Sequence, residues 1–232
     1  MEAIVLAGGL GTRLRGVVDD VPKPMALVQG RPFLAFVLDQ LVAGGFEAAI
    51  FAAGYRHVAI RSYFGDAYRG LALRYSVEEK PLGTGGAIRL ACDQTHTRDV
   101  FVLNGDTYLE LDFRAMLDAH AHGGAELSMA ICHVPDVARY GALELTDGIV
   151  QRFVEKGRSG PGWINGGTYV LGPELRARPW PHGAFSFEHD LLGREVGSIR
   201  PLAFRSSGLF IDIGIPEDYT RAQQLFSGRL AQ

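Results

Sequence analysis

Apolar positions recur along this chain with two periods, and the change between them divides it. Ala3-Ile4-Val5-Leu6 is a short, β-prone apolar run that predicts a buried strand. Ala26-Leu27-Val28 is extended and ends at Gly30. Pro32 suits a first helical position, and Phe33, Leu34, Phe36, Val37, Leu38, Leu41 and Val42 follow at helical spacing until Gly44-Gly45. Strands are predicted over 48–51, 71–77 and 100–103. Helices are predicted over 56–64, from Thr84 as N-cap to Cys92, and over 113–122, where Gly123-Gly124 stops the last. Strand–helix alternation of this kind gives a parallel sheet covered on both faces, an α/β fold.

Beyond this point the pattern changes. Segments 126–133, 141–145, 149–154 and 163–171 read as strands with short connections, so this half is mixed or antiparallel. Ser186 with His189 suggests a capped helix, and 202–204 and 209–211 are late strands before a final helix. No Pro/Ser-rich linker and no internal repeat divides the chain. The expectation is one domain over 1–232, with a first half 1–112 and a second half 113–232 that extends the same sheet.

Composition narrows the function. The 232 residues are 47% hydrophobic and 21% charged, ordinary for a globular chain. The net charge of −3, without a Lys/Arg-rich block, argues against a nucleic-acid partner. No apolar run is long enough to span a membrane, and the first strand starts at once, leaving no room for a signal peptide. Cys92 and Cys132 lack metal-ligand spacing and sit in apolar segments, so they read as buried thiols. A cytoplasmic location is the expectation. His120 and His122 lie two apart on a helix and point different ways, which disfavours a metal pair and predicts exposed histidines. Ser186, His189 and Asp190 are too close on one helix to form a catalytic triad.

The chemistry gathers at strand ends. Leu6-Ala7-Gly8-Gly9-Leu10-Gly11-Thr12-Arg13 follows the first strand. Glycines there let backbone N–H groups approach a ligand and form a nest for phosphate oxygens. Arg13 and Lys23 add phosphate-matched donors. No Gly-Lys-Ser/Thr follows, so this is no Walker loop, and the third glycine of a dinucleotide fingerprint is absent. Glu78-Glu79-Lys80-Pro81-Leu82-Gly83-Thr84 and Asn104-Gly105-Asp106 also follow strands, and such carboxyl ends face the ligand crevice of α/β sheets. Asp106 is placed to hold a hard cation such as Mg²⁺.

Taken together, Leu-Ala-Gly-Gly-x-Gly-Thr-Arg-Leu and Pro22-Lys23-Pro24-Met25 closely resemble the signature of the sugar-1-phosphate nucleotidylyltransferases. The resemblance runs from Glu2 to about Ala222. It implies a Rossmann-like nucleotidyltransferase fold: a mixed, mostly parallel central sheet flanked by helices, with a small antiparallel sugar-binding extension. It implies that Leu6, Ala7, Gly8, Gly9, Gly11 and Thr12 hold the nucleotide, and that Glu78, Gly83 and Thr84 meet its base. Arg13, Lys23 and Lys156 would be catalytic, and Asp106 with Asp212 would hold Mg²⁺. Tyr140-Gly141, Glu155 with Lys156, and Asn165-Gly166 would meet the sugar. The Asp-x-Gly-Thr-Pro-x-Asp-Tyr signature is matched by 212–219, except that Ile215 replaces threonine, which removes a minor hydroxyl contact.

Among these enzymes the motifs are most similar to heptose 1-phosphate guanylyltransferases. The implied partners are a nucleoside triphosphate, with GTP favoured, and D-glycero-α-D-manno-heptose 1-phosphate; a homo-oligomer is compatible with the pattern. The product would be GDP-heptose for surface polysaccharide. The competing readings are a mannose 1-phosphate guanylyltransferase, a uridylyltransferase acting on N-acetylmuramate or glucose 1-phosphate, and a non-catalytic nucleotide-sugar sensor.

Overall fold

A computed structural model describes residues 1–8, 21–54, 57–154 and 157–228. The first half runs β1 (Glu2–Leu6), β2 (Leu27–Val28), β3 (Arg31–Pro32), α1 (Phe33–Ala43), β4 (Ala48–Ala53), α2 (His57–Phe64), β5 (Ala67–Tyr68), β6 (Leu71–Val77), α3 (Gly83–Cys92), β7 (Val100–Asn104) and β8 (Thr107–Leu109). The second half runs α4 (Phe113–His122), β9 (Leu127–Val134), β10 (Ala142–Thr146), β11 (Ile149–Val154), β12 (Gly162–Leu171), α5 (Pro173–Ala177), a π-helical turn (Phe187–Leu192), α6 (Gly193–Ile199), β13 (Leu202–Ser206), β14 (Phe210–Asp212) and α7 (Pro216–Phe226).

Ten strands form a mixed sheet in the order β10-β11-β13-β9-β12-β7-β1-β4-β6-β5. The run β7-β1-β4-β6 is parallel, as the alternation of elements predicts. Antiparallel pairing of β12 with β7 joins the second half to it. The central strands β1, β4 and β7 read as unbroken apolar runs because both their faces are buried. Along β1, Ala3 and Val5 enter one core with Phe33, Met116 and Phe226, while Ile4 enters another with Ile88, Val102 and Tyr169. Helices α1, α4 and α7 cover the first face, and α3, the π-helical turn and α6 cover the second.

Several local expectations change. Pro32 ends β3 and caps α1 from outside instead of opening the helix. Thr84 lies inside α3, whose N-cap is Leu82, and its hydroxyl accepts from the distant Phe187 N–H at 2.9 Å. The late strand around 209–211 leaves the main sheet and pairs as β14 with β8. His120 is buried, with Nδ1 2.8 Å from Ser128 Oγ and Nε2 3.7 Å from Asp99 Oδ1, while His122 is exposed. Helix α4 turns His120 inward because that face covers β9.

Candidate active site

The parallel strands all end on one edge, and backbone hydrogen bonds tie their exits together. Gly105 N–H donates to Leu6 O at 2.9 Å, Ala7 N–H to Ala52 O at 3.0 Å, and Glu78 N–H to Ala53 O at 3.3 Å. A Cβ on Gly105 would stand 2.7 Å from Leu6 O, so only glycine allows β1 and β7 to leave the sheet this closely. Above this edge lies a cavity of about 560 Å³, bordered by Leu6, Gly8, Lys23, Glu78, Gly83 and Thr84, with Asp106 at its floor. The strand-end residues therefore converge on one crevice. Gly9, Gly11, Thr12, Arg13, Glu155 and Lys156 lie outside the described residues.

The loop from Glu78 to Gly83 is clamped from the far half of the chain. Glu78 Oε2 accepts from Leu82 N–H at 2.8 Å, which fixes the turn into α3. Gly83 has φ +68, and a Cβ there would collide with the Phe185 carbonyl. Gly85 N–H donates to that same carbonyl at 2.9 Å, and Phe185 N–H donates to Leu82 O at 2.9 Å. Gly85 must also be glycine, because a Cβ would enter the Phe185 ring. Ser186 Oγ accepts from His189 N–H at 3.1 Å, the expected cap, and so holds the start of the π-helical turn.

The two distant carboxylates meet. The β8–β14 ribbon sets Asp212 opposite Thr107, one residue beyond Asp106, and Ile213 N–H donates to Asp106 O at 3.1 Å. Between the side chains lies Lys23 Nζ, 2.5 Å from Asp106 Oδ2 and 3.5 Å from Asp212 Oδ1. Asp212 Oδ1 also accepts from Gly214 N–H at 2.7 Å. Arg139 Nη2 lies 3.4 Å from Asp212 Oδ2, and Arg139 Nη1 pairs with Asp218 on α7. The pair of carboxylates already gathers cationic charge, which fits a divalent ion. Among the described residues no third His, Cys, Asp or Glu joins a metal-holding group there. A two-carboxylate set suits Mg²⁺, which keeps waters and takes further oxygens from phosphates.

A smaller cavity of about 270 Å³ opens over this pair, between Asn104, Arg139, Tyr140 and Gly167. It leads to a third of about 700 Å³, lined by Tyr140, Gly141, Asn165, Glu188 and Arg194 among others. Tyr140 is wedged between the Phe210 ring, 5.5 Å between centroids, and the Arg139 guanidinium, 4.7 Å above its ring. Burial pushes the Tyr140 hydroxyl's pKa up. Asn165 Nδ2 donates to Tyr169 OH at 2.6 Å, and Tyr169 OH donates to Glu188 Oε1 at 2.6 Å. Tyr169 is fully buried, and burial beside the Glu188 carboxylate keeps its hydroxyl protonated. Gly167 lines the small cavity, whereas Gly166 packs against Leu109 and Ala130 beneath it.

The sequence profile of the Nucleotidyl transferase family matches residues 2–226. The chain belongs to this family. A nucleotidyl transferase relative from Aneurinibacillus thermoaerophilus, D-glycero-alpha-D-manno-heptose 1-phosphate guanylyltransferase, is 42% identical over 97% of each chain. The enzyme of that name from Campylobacter jejuni is 36% identical over 94% of this chain and 97% of its own. Among solved structures, HddC from Yersinia pseudotuberculosis complexed with GMP-PN superposes with a TM-score of 0.86 at 40% identity, covering 97% of this chain and 99% of that one.

Two residues of this nucleotidyl transferase's site escape a reading of sequence motifs. Glu188 borders all three cavities, and Arg139 braces Asp212. Asn104, within the Asn104-Gly105-Asp106 motif, borders both the 560 Å³ and the 270 Å³ cavities. Arg139 adjoins a motif residue, Tyr140, and that adjacency was the available signal. Glu188 had only its place inside a capped turn, which says nothing about where its carboxylate points.

Proposed function

We propose that this chain transfers a guanylyl group from GTP to D-glycero-α-D-manno-heptose 1-phosphate, forming GDP-heptose and pyrophosphate for surface polysaccharide. The observation that carries the reading is the meeting of Asp106 and Asp212 around one cation, at the junction of the nucleotide-side and sugar-side cavities. The named relatives, similar over nearly their whole length, support heptose and guanine as the specific partners.

The attacking oxygen belongs to a sugar phosphate that carries close to two negative charges near neutral pH, so no general base is needed. The catalytic task is positioning, and relief of repulsion between two polyanions. Asp106 and Asp212 would hold Mg²⁺. That ion would supply positive charge to offset the negative charge on the phosphates during transfer. Lys23, at the floor of the nucleotide cavity, would pair with the triphosphate and the departing pyrophosphate, as would Arg13. Lys156 would hold the incoming phosphate in line with the α-phosphorus. Glu78 would accept two N–H groups from guanine, and Gly83 and Thr84 would border the base. On the acceptor side, Tyr169 fixes one oxygen of Glu188 and leaves the other to accept a sugar hydroxyl, beside Tyr140, Gly141 and Asn165, and Glu155 would accept a further hydroxyl.

Pyrophosphate release from a panel of triphosphates and sugar 1-phosphates tests this. GTP with the heptose 1-phosphate is expected to give the highest kcat/KM. A higher value with mannose 1-phosphate, or with UTP and glucose or N-acetylmuramate 1-phosphate, would move the reading to that enzyme. Nucleotide binding without turnover on any pair would mark a sensor.

A further inference from the structure

We infer that the Lys23 ammonium is the resident counter-cation of the Asp106–Asp212 pair, and that it leaves this seat for the nucleotide phosphates when a metal–nucleotide complex binds. The inference rests on the proposed function in taking the two carboxylates as metal ligands. Three observations converge on it. Nζ stands within ion-pair distance of both carboxylates, and its side chain is 14% exposed while theirs are 32% and 28%. The seat is walled: a Cβ on Gly214 would stand 3.2 Å from Nζ and 2.9 Å from Asp212 Oδ1. The backbone that carries Lys23 is held by Pro22, which precedes the turn, and by the buried Pro24 and Met25 within it, so movement is confined to the four-carbon stem.

That stem has somewhere to go. Lys23 borders the cavity over the carboxylates and also the 560 Å³ nucleotide cavity, so a change of rotamer moves Nζ from one to the other. Two carboxylates this close repel unless a cation lies between them, and an ammonium and a divalent ion cannot share the same oxygens. An ion arriving alone must turn Lys23 out with no new partner for it. An ion arriving with a triphosphate brings oxygens that accept the three ammonium donors. Metal and nucleotide therefore bind cooperatively, and each raises the other's affinity by the same factor. In the free protein Lys23 competes with divalent ions for this seat and weakens their binding.

Manganese binding, read from the electron paramagnetic resonance signal of the free ion, tests this with and without GTP and with no sugar phosphate present. Without GTP, Lys23→Met is expected to bind Mn²⁺ on the order of tenfold more tightly than the unaltered protein. With GTP the two should converge, because in the unaltered protein Lys23 has then left the seat that the variant never fills. Arg139→Gln also removes a cation from Asp212 but leaves the bridge intact, so it should gain much less. If Lys23→Met fails to fold by circular dichroism, Lys23→Gln replaces it. Equal Mn²⁺ affinity for Lys23→Met and the unaltered protein overturns the inference, as does an equal gain in Arg139→Gln. The proposed function fails separately, if Asp106→Asn leaves Mn²⁺ binding in the GTP complex unchanged.

Discussion

Lys23 and His120 show how one residue's surroundings set its duty. Lys23 is expected to neutralise the triphosphate, so Lys23→Ala should raise the barrier by about 3–4 kcal/mol with the fold intact. Turnover near the unaltered value, in a variant with a normal thermal transition, would remove it from the mechanism. His120 is a packing residue. Burial lowers its pKa below the ordinary imidazole value of about 6.5, so the folded protein keeps it neutral while the unfolded chain takes up a proton. Its contribution to stability is complete above pH 6.5 and is lost as pH falls toward and through the folded pKa. Urea unfolding between pH 8 and 5 should show this loss, up to about 1.4 kcal/mol per pH unit, and His120→Leu should flatten it. At this scale the motif residues were legible, because glycine, lysine and aspartate at strand exits say what they can bind. The burial of His120 was not, because a two-residue spacing on a helix does not say which face meets the sheet.

At the scale of elements, the entry to α3 is built by a segment a hundred positions away, and its strength can be measured. Gly83→Ala places a Cβ at positive φ against the Phe185 carbonyl, at a cost of about 1–3 kcal/mol. Nucleotide KM should rise more than kcat falls, because the loop borders the nucleotide cavity and carries no reacting group. An unchanged KM would detach this clamp from nucleotide binding. Tyr169→Phe should raise the KM for the sugar phosphate, since Glu188 loses its donor, and should destabilise the fold by about 1–3 kcal/mol. A KM change for GTP alone would contradict that assignment. Glycine stops and helical spacing made α1, α4 and their neighbours legible almost to the residue. The β8–β14 ribbon was not, because three-residue strands carry no period. Thr84 looked like a cap because chain neighbours were visible, while Phe187, its real partner, is distant in sequence.

Across the whole molecule the two halves share one sheet, and the crevice arises where it passes from parallel to antiparallel pairing, near β7 and β12. Gly8 and the Glu78 loop border it from the parallel side, and Tyr140, Asn165 and Glu188 from the other. The β8–β14 ribbon ties the sides together by setting Asp106 beside Asp212, with their charge shared by Lys23. No helix among the described residues is long and apolar enough to cross a membrane. That the two halves act as one catalytic unit depends on the carboxylate pair working as one device. Steady-state pyrophosphate release from GTP and the heptose 1-phosphate by Asp106→Asn, Asp212→Asn and the double variant tests this most directly. Each single change should lower kcat on the order of 10²–10³-fold, and the double change should lower it little further, because both ligands serve one ion. Losses that multiply in the double variant, or full turnover in Asp212→Asn, would contradict the shared ion and the transfer chemistry built on it.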